Sequence, residues 1–304
     1  MKSLFLIDAN SLIHRAYHAL PPFTSPTGEP TGALYGLANI LLKIIREDSP
    51  NYIAAFFDRP EPTFREEIFK EYKIQRPKAP DELISKLLEA HELFQKIGVR
   101  TYEAAGFEAD DLIAEVVYKF GRESNLKIVI LSGDLDTLQL VSGGKIVVKA
   151  FKKGVSETTI YDEAAVRKRY GITQRQMPDY KSLVGDTSDN IPGVKGIGPK
   201  TASGLIQRYG GLENFFRVGQ SEKNYEKIFS SKDQIKLFKK LVTLKKDTPL
   251  EIRDLEELRY PGLSPAVLSP YLKKLGFKSL INRISGNKSG GKENKPLKSL
   301  FDKS

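Results

Sequence analysis

The sequence has no cysteine, only three histidines and only two methionines among 304 residues. The absence of cysteine excludes disulfide bonds and thiolate metal sites within the chain. Oxygen or histidine must therefore hold any metal ion, and so few histidines favour oxygen. Oxygen ligands select hard divalent cations, of which Mg²⁺ is the expected one and Mn²⁺ the alternative.

A long apolar run is also missing from the sequence. The N-terminal stretch MKSLFLIDANSL is interrupted by Asp8, and no later stretch approaches the roughly 18 uncharged residues that a membrane-spanning helix requires. We therefore expect a cytoplasmic protein that makes no membrane contact.

What the chain has in excess is positive charge. Lys and Arg total 48 against 38 Asp and Glu, which gives a formal net charge of +10 and a pI near 9.4. This surplus suits a polyanionic partner such as nucleic acid, although a purely solubilising role has the same composition. With 40% hydrophobic residues, the chain can bury a full core as one large domain or two modest ones.

Apolar patterning predicts an α/β fold with a mostly parallel central sheet. Four short apolar runs predict buried strands over 3–7, 52–57, 99–102 and 127–131. Apolar residues at three- and four-residue spacing predict helices over 33–46, 83–97 and 109–120. Strands that alternate with helices indicate a parallel sheet, whose ligand site lies at the carboxyl ends of the strands. Asp8 and Asp58 fall at two such ends.

The texture of the sequence changes twice. From about residue 162 it reads as helices joined by Gly and Pro, with NIPGVKGIGPKTA at 190–202 as the sharpest loop signal. After Ser285 it is Gly-rich, small and charged, and cannot bury enough area to fold alone. We therefore predict an α/β core over 1–161, a helical region over 162–284 and a flexible tail over 285–304.

Acidic residues recur at the predicted strand ends and helix starts. They are Asp8, Asp58, Glu108, Asp110, Asp111, Asp134, Asp136, Asp186 and Asp189. Taken singly, Asp-Asp before an apolar run is as readily a helix N-cap, and Asp after Gly is as readily a turn residue. If the whole set converges, cations must neutralise it, because several carboxylates would otherwise be protonated at neutral pH. The set therefore predicts a divalent-ion site.

Five motifs carry a family resemblance. In chain order they are LIDANSLIHRAYHAL, FFDRPEPTFREEIFKEYKIQRP, FEADDLIAEV, LSGDLDTLQLV and VGDTSDNIPGVKGIGPKTA. Their order and separations over residues 1 to about 284 resemble the 5′ nuclease domains of bacterial DNA polymerase I, phage 5′ nucleases and eukaryotic flap endonucleases. The resemblance implies a PIN-like core with a helical arch and a C-terminal helix-three-turn-helix of the helix-hairpin-helix type. Asp8-Ala9 departs from the common Asp-Gly. We expect a free-standing protein, with a piece of a polymerase as the alternative.

The resemblance also implies the reaction and its metal ligands. The family hydrolyses phosphodiesters with two metal ions, one generating a hydroxide and both stabilising the transition state, and leaves a 5′-phosphate. By motif position, Asp8, Asp58, Glu108 and Asp110 would hold the first ion. Asp134, Asp136 and Asp186 would hold the second, and Asp111 and Asp189 would support both. The resemblance also implies catalytic roles for Asp110 and Asp134.

Residues 59–80 are rich in basic and aromatic side chains between the second strand and the next long helix. A solvated amphipathic helix is one interpretation. Aromatic rings beside Lys and Arg near an acidic site favour a grip on single-stranded DNA, since a ring can stack a base while a cation holds a phosphate. In the family this segment, here about 59–82, is the helical arch. The resemblance implies DNA contacts at Arg65, Tyr72, Lys73 and Arg76, with Lys73 and Arg76 also catalytic.

The segment GVKGIGPKTA resembles the centre of a helix-hairpin-helix element, here about 184–208. Glycines let a backbone approach phosphate oxygens, and a helix N-terminus favours an anion; a purely structural turn is the alternative. The implied duplex-DNA contacts are Gly193, Lys195, Gly196, Gly198, Lys200 and Thr201. The family's hairpin often binds K⁺ through backbone oxygens, which the resemblance carries over to this segment.

The tail ends in LKSLFDKS, in which Leu297, Leu300 and Phe301 follow a flexible polar segment. Ser299-Leu300-Phe301 resembles the end of a bacterial clamp-binding peptide without its leading Gln, so we expect weak tethering to a sliding clamp; a disordered end is the alternative.

Two rival functions compete with nuclease activity. The first is a catalytically silent DNA-binding protein, and the presence of all nine acidic residues argues against it. The second is a PIN-like RNA nuclease, which needs no hairpin of the GVKGIGPKTA kind. We therefore predict a nucleoid-associated, structure-specific 5′-3′ exonuclease and flap endonuclease of replication and repair. Its substrate would be DNA with 5′ flaps or 5′ ends, with RNA primer removal implied by the resemblance alone.

Overall fold

A computed structural model describes residues 1–21, 23–154 and 157–285. A six-stranded sheet runs in the order β3-β2-β1-β4-β5-β6. Its strands are β1 (Lys2–Asp8), β2 (Tyr52–Phe56), β3 (Arg100–Tyr102), β4 (Leu126–Ser132), β5 (Ile146–Lys153) and β6 (Glu157–Tyr161). Neighbours among β1 to β5 are parallel, and β6 pairs antiparallel with β5.

Thirteen α-helices are present in the described residues. Those before β6 are α1 (Ala9–Ala19), α2 (Gly32–Asp48), α3 (Phe64–Ile68), α4 (Asp81–Ile97) and α5 (Ala109–Phe120). Those after β6 are α6 (Glu163–Tyr170), α7 (Met177–Val184), α8 (Pro199–Tyr209), α9 (Leu212–Val218), α10 (Tyr225–Ser230), α11 (Lys232–Val242), α12 (Pro265–Lys274) and α13 (Lys278–Ile284). No helix in the described ranges is long and apolar enough to cross a membrane.

The central strand β1 is apolar on both faces because each face meets helices. Leu4 and Leu6 face a buried cluster that includes residues of α5, whereas Phe5 and Ile7 face a cluster formed with α1, α2 and α4. Alternate residues of a strand point to opposite faces, so a continuous apolar run is what a doubly covered strand needs. The predicted α/β architecture with a mostly parallel central sheet is confirmed.

The four predicted strands and three predicted helices are all present, and each end differs from its prediction by at most two residues. The sequence-based prediction missed β5, β6 and α1. β6 is an edge strand with the sequence ETTIY and is mostly exposed, so it lacks an apolar signature. α1 begins directly at the end of β1, with Asp8 as both last strand residue and N-cap, so no loop residue marks its start.

Helices α12 and α13 return to pack against the α/β core. Their buried residues Leu268, Leu272 and Leu280 belong to the same cluster as α2 and α4. Helices α7 to α11 form the helical region, and buried residues such as Leu183, Leu205 and Phe215 join the cluster on the opposite face of the sheet. The carboxyl ends of β1, β2 and β4 meet α5 and the start of this region, and that junction carries the acidic residues.

Candidate metal and nucleic-acid site

A cavity of about 550 Å³ opens at the carboxyl ends of the strands. Six of the nine predicted carboxylates line it: Asp8, Asp58, Glu108, Asp110, Asp134 and Asp186. The predicted cations Lys73 and Arg76 line the same cavity. Residues from six separate segments of the chain therefore converge on one space, as expected where parallel strands end at one edge of a sheet.

Asp8 is fixed at the floor of the cavity by two hydrogen bonds. Its Oδ1 accepts from the Ser11 amide at 3.0 Å, and its Oδ2 accepts from the Ser132 hydroxyl at 2.6 Å. Burial and the nearby charge of Asp58 raise the pKa of Asp8 to about 7. Asp58 accepts from the Ala109 amide at 2.7 Å, and burial raises its pKa as well. Both carboxyls hold unfavourable charge that a cation would relieve.

The start of α5 supplies a second set of carboxylates. Glu108, Asp110 and Asp111 bring carboxylate oxygens within 4.8 Å of one another. Burial and the charge of Asp111 raise the pKa of Asp110 well above its ordinary value. Asp110 Oδ1 is buried without a hydrogen-bond partner among the described residues. A buried carboxylate oxygen left unpaired is costly, so this oxygen fits a metal ligand.

Asp111 differs from its neighbours because an arginine already holds it. It is 0% exposed, and its two oxygens accept from the Arg65 guanidinium at 2.6 and 2.8 Å. Arg65 also lies 3.2 Å from Glu108 and donates from Nε to the Leu241 carbonyl at 2.7 Å. At 2% exposure, Arg65 cannot reach a phosphate in this conformation. The expected DNA contact at Arg65 is therefore corrected to an internal ion pair.

The second acidic cluster surrounds a lysine that the sequence analysis did not single out. Asp136, Asp186 and Asp189 bring carboxylate oxygens within 4.8 Å of one another. Lys181 contacts Asp136 and lies 2.7 Å from Asp186. Burial opposes ionisation of Asp186, but Lys181 and the bonds from Ser188 outweigh it and lower its pKa. This cluster is therefore already partly neutralised.

The gateway segment, residues 64–76, closes one side of the cavity. Lys73, with φ of 53°, contacts Glu108. Arg76 lies 2.8 Å from Asp189 and donates to the Ser188 carbonyl at 3.1 Å. Burial opposes the charge on Lys73, but Glu108 and Asp189 outweigh it and raise its pKa. Both cations lie at the rim of the cavity, beside its carboxylates.

Tyr72 in the gateway segment is buried, which contradicts its expected stacking on a base. It is 4% exposed and packs with Ile191 and Phe238. Its hydroxyl donates to Glu108 at 3.2 Å or to Asp189 at 3.1 Å. The ring therefore ties the segment to the helical region, and the hydroxyl orients two carboxylates.

The segment predicted to form the hairpin leads into α8, which begins at Pro199. Lys195, Gly196, Gly198 and Lys200 are exposed, and Thr201 is half-buried. Among the described residues no side chain caps α8 at Gly198, so the amides of Lys200 and Thr201 can donate to an anion. Gly193 is different, because it is buried and a Cβ there would lie 2.6 Å from the Leu183 carbonyl oxygen. Its expected approach to a phosphate is corrected to a packing requirement.

Several site residues other than Lys181 escaped sequence reasoning. Asn10 Oδ1 accepts from the Asp58 amide at 3.1 Å, and Ser11 Oγ accepts from the Gly133 amide at 2.7 Å. Tyr170 also lines the cavity. The only signal for Asn10 and Ser11 was their place directly after Asp8, on a helix the sequence analysis did not predict.

Comparison with known proteins places this chain in a family. Residues 3–171 match the N-terminal resolvase-like domain of 5′-3′ exonucleases, and residues 172–266 match their C-terminal SAM fold. A 5′-3′ exonuclease of Aquifex aeolicus is 36% identical over 289 residues, which cover 93% of this chain and 96% of that protein. DNA polymerase I of Caldicellulosiruptor bescii is 39% identical over 286 residues, which cover 92% of this chain and 33% of that protein. The chain thus spans about one third of the length of that DNA polymerase I.

Solved structures share the fold. The D15 protein of bacteriophage T5, co-crystallised with metal ions, superposes with a TM-score of 0.66 at 22% identity, covering 80% of this chain and 90% of that one. The catalytic core of Rad2 in complex with DNA substrate gives a TM-score of 0.59 at 17% identity, covering 93% and 91%. With its two family matches and a relative of similar length, the chain belongs to the 5′-3′ exonuclease family.

Proposed function

We propose that the protein is a metal-dependent, structure-specific 5′-3′ exonuclease and flap endonuclease that hydrolyses DNA phosphodiesters. The observation that carries the proposal is the convergence of six carboxylates with Lys73 and Arg76 on one cavity. Carboxylates alone would repel a phosphodiester, and cations alone would only bind it. The combination suits hydrolysis in which carboxylate-bound metal ions contact the phosphodiester.

We assign two divalent ions to this cavity, Mg²⁺ in the first place and Mn²⁺ as a substitute. Asp8, Asp58, Glu108 and Asp110 would hold one, and Asp134, Asp136 and Asp186 the other, with Asp189 in support. The unpaired oxygen of Asp110 and the raised pKa of Asp8 support the first assignment. When bound, such ions activate water and neutralise charge on the phosphodiester.

The protein's own groups position the substrate. Lys73 and Arg76 stand at the rim and would hold the scissile phosphate over the carboxylates, adding to charge stabilisation in the transition state. Asp111, Arg65 and Tyr72 act one step away by fixing Glu108 and the gateway segment. The exposed hairpin would grip duplex phosphates through Gly196, Gly198, Lys195, Lys200 and Thr201, without reading the base sequence.

Cleavage of a 5′-flap duplex labelled at either end tests the reaction. The wild type is assayed with Mg²⁺, with Mn²⁺ and with EDTA, beside Asp134→Ala and the matched control Asp233→Ala, an aspartate whose side chain is 96% exposed. We expect metal-dependent cuts near the flap junction that disappear only in Asp134→Ala. Tight binding without metal-dependent cutting would support a silent DNA-binding protein instead.

We further propose that K⁺ binds the hairpin through backbone oxygens. The support is the resemblance of GVKGIGPKTA together with the left-handed backbone of Gly196, with φ of 78°. Duplex affinity should then be higher in KCl than in NaCl at equal ionic strength. Equal affinity in the two salts would remove the proposal.

The biological setting is also proposed, as replication and repair in the cytoplasm, at the nucleoid. Removal of RNA primers follows from the resemblance. A flap substrate with a 5′ RNA segment should be cut at a rate comparable to that of its all-DNA counterpart. If only the DNA flap is cut, primer removal is excluded.

Tethering to a sliding clamp is proposed for Leu297, Leu300 and Phe301, which lie outside the described residues. A peptide covering 292–304 should bind the cognate clamp at high micromolar concentration, and the same peptide with Leu300 and Phe301 replaced by Ala should not. Identical behaviour of the two peptides would reject this interaction.

A further inference from the structure

An arginine between two tyrosines lies beside the cavity and has no part in the site described so far. Arg169, at the end of α6, is exposed. Its guanidinium carbon lies 5.6 Å from the ring centre of Tyr161 and 5.3 Å from that of Tyr170. It also contacts the Tyr161 hydroxyl. Two rings and a hydroxyl therefore hold an exposed cation in one place.

This cluster sits between the cavity and the hairpin helix. Tyr170 lines the cavity, and its carbonyl accepts from the Ser203 hydroxyl of α8 at 2.7 Å. The next carbonyl, that of Gly171, accepts from Gln207 of the same helix. α8 begins at the hairpin. A DNA backbone that runs from the cavity to the hairpin would therefore pass the end of α6.

Within the described ranges no carboxylate neutralises the charge of Arg169, whose polar partners there are Tyr161 and Tyr170. A plain alternative exists, because Arg167, Lys168 and Arg169 all occupy the last turn of α6, where cations favour the helix dipole. That alternative predicts equal behaviour of the three residues. It does not account for the two tyrosine rings that hold Arg169 and not the other two residues.

A guanidinium that is held between aromatic rings is suited to binding a phosphate. Stacking on aromatic faces restricts the side chain while leaving its planar donors free for bidentate bonds to oxygen. Less side-chain entropy is then lost when the phosphate binds. Basic groups interleaved with aromatic rings are a common surface for nucleic-acid strands.

We propose that Arg169, held by Tyr161 and Tyr170, contacts a phosphate of the DNA strand that runs between the cavity and the hairpin. The inference rests on the proposed function and adds a third grip to those of the gateway segment and the hairpin. Its ligand is a nucleic-acid phosphodiester, bound without regard to sequence.

The test compares Arg169→Gln with Arg167→Gln. Both remove one positive charge from an exposed position of α6, but the two side chains lie about 200° apart around the helix. Binding of a labelled 5′-flap duplex is measured by fluorescence anisotropy in EDTA over a series of KCl concentrations. A third variant, Tyr161→Phe, keeps the ring and removes the hydroxyl that holds Arg169.

Arg169→Gln should weaken binding by roughly 3- to 10-fold and reduce the slope of log K against log salt by about 0.9, the value of one phosphate contact. Arg167→Gln should leave the slope unchanged, and Tyr161→Phe should weaken binding less than Arg169→Gln does. Melting temperatures of all variants should match that of the wild type.

Equal effects of Arg169→Gln and Arg167→Gln, or no effect of Arg169→Gln, would overturn the inference. The wild-type flap-cleavage assay separates this failure from that of the proposed function. A wild type that cleaves with Mg²⁺ while Arg169→Gln behaves like its control rejects the Arg169 contact alone, whereas a wild type that neither cleaves nor binds rejects both.

Discussion

Arg65 shows how one buried charge can organise a site. Its guanidinium joins the gateway segment to Asp111 of α5 and to the Leu241 carbonyl of α11. Burial opposes its charge, but the carboxylates around it outweigh that cost and raise its pKa. Removal of one partner of a buried ion pair leaves the other charge uncompensated. The same ion pair fixes Asp111, which directly follows Asp110 in α5.

We predict that Arg65→Gln destabilises the fold by roughly 3 to 5 kcal/mol. Arg76→Gln removes the same charge from a side chain that is 47% exposed, and it should cost less than about 1 kcal/mol. Urea unfolding measures both. Flap cleavage is measured at a temperature where both variants are folded. Arg76→Gln should then be the more impaired enzyme, because Arg65 only positions other residues. Equal stability of the two variants would contradict the internal role of Arg65.

Asp110→Asn should change stability and metal response in opposite directions. The substitution removes a buried like charge beside Asp111, so the metal-free protein should be as stable as the wild type or more stable. Mg²⁺ should raise the melting temperature of the wild type but not of Asp110→Asn, and cleavage should fall by about 100-fold or more. Asp233→Asn, on the exposed face of α11, serves as control. An unchanged Mg²⁺ effect in Asp110→Asn would remove this residue from the metal site.

At the scale of elements, local pattern decided which predictions succeeded. Asp8 and Asp58 follow apolar strands, so their place at one sheet edge could be read from the sequence. Tyr72 and Arg65 could not be placed, because a gateway side chain is buried only when α11 packs on it, and Leu241 lies 176 residues from Arg65. Aromatic and basic residues in alternation look the same whether they face DNA or a distant helix.

The hairpin offers a prediction that separates packing from flexibility. Gly193→Ala places a methyl group 2.6 Å from the Leu183 carbonyl oxygen at a φ of 65°, and it should destabilise the fold by roughly 3 kcal/mol or more. Gly204→Ala, within α8, meets no atom within 4 Å and should stabilise by about 0.5 to 1 kcal/mol. Thermal unfolding distinguishes the two. Destabilisation by both would mean that α8 has less room than the structure indicates.

At the scale of the whole molecule, the fold brings like charges together before any ion binds. The sheet and its two covering clusters are apolar, and this packing holds strand ends that carry Asp8, Asp58 and Asp134 in one cavity. Lys73 and Lys181 offset part of the repulsion. The remainder makes the stability of the protein depend on pH and on metal.

We predict that the metal-free protein loses stability as pH rises from about 5 to 7. Asp8 has a pKa of about 7 in the folded state and an ordinary value of 3.8, so in this window the folded state binds more protons than the unfolded state. Stability then falls with rising pH, by up to about 1.4 kcal/mol per pH unit for one proton. The raised pKa values of Asp58 and Asp189 act in the same direction.

Two histidines act in the opposite sense, so the measurement needs a difference. Burial lowers the pKa of His14 and His91, which makes the folded state lose protons first and adds stability as pH rises toward 6.5. Melting temperatures from pH 5 to 8 are therefore compared between wild type and Asp8→Asn, since the histidines cancel. The wild type should lose more stability than Asp8→Asn in EDTA, and saturating Mg²⁺ should reduce or reverse that loss because the ion binds ionised Asp8. Parallel pH profiles of the two proteins in EDTA would show that Asp8 is already ionised in the metal-free fold.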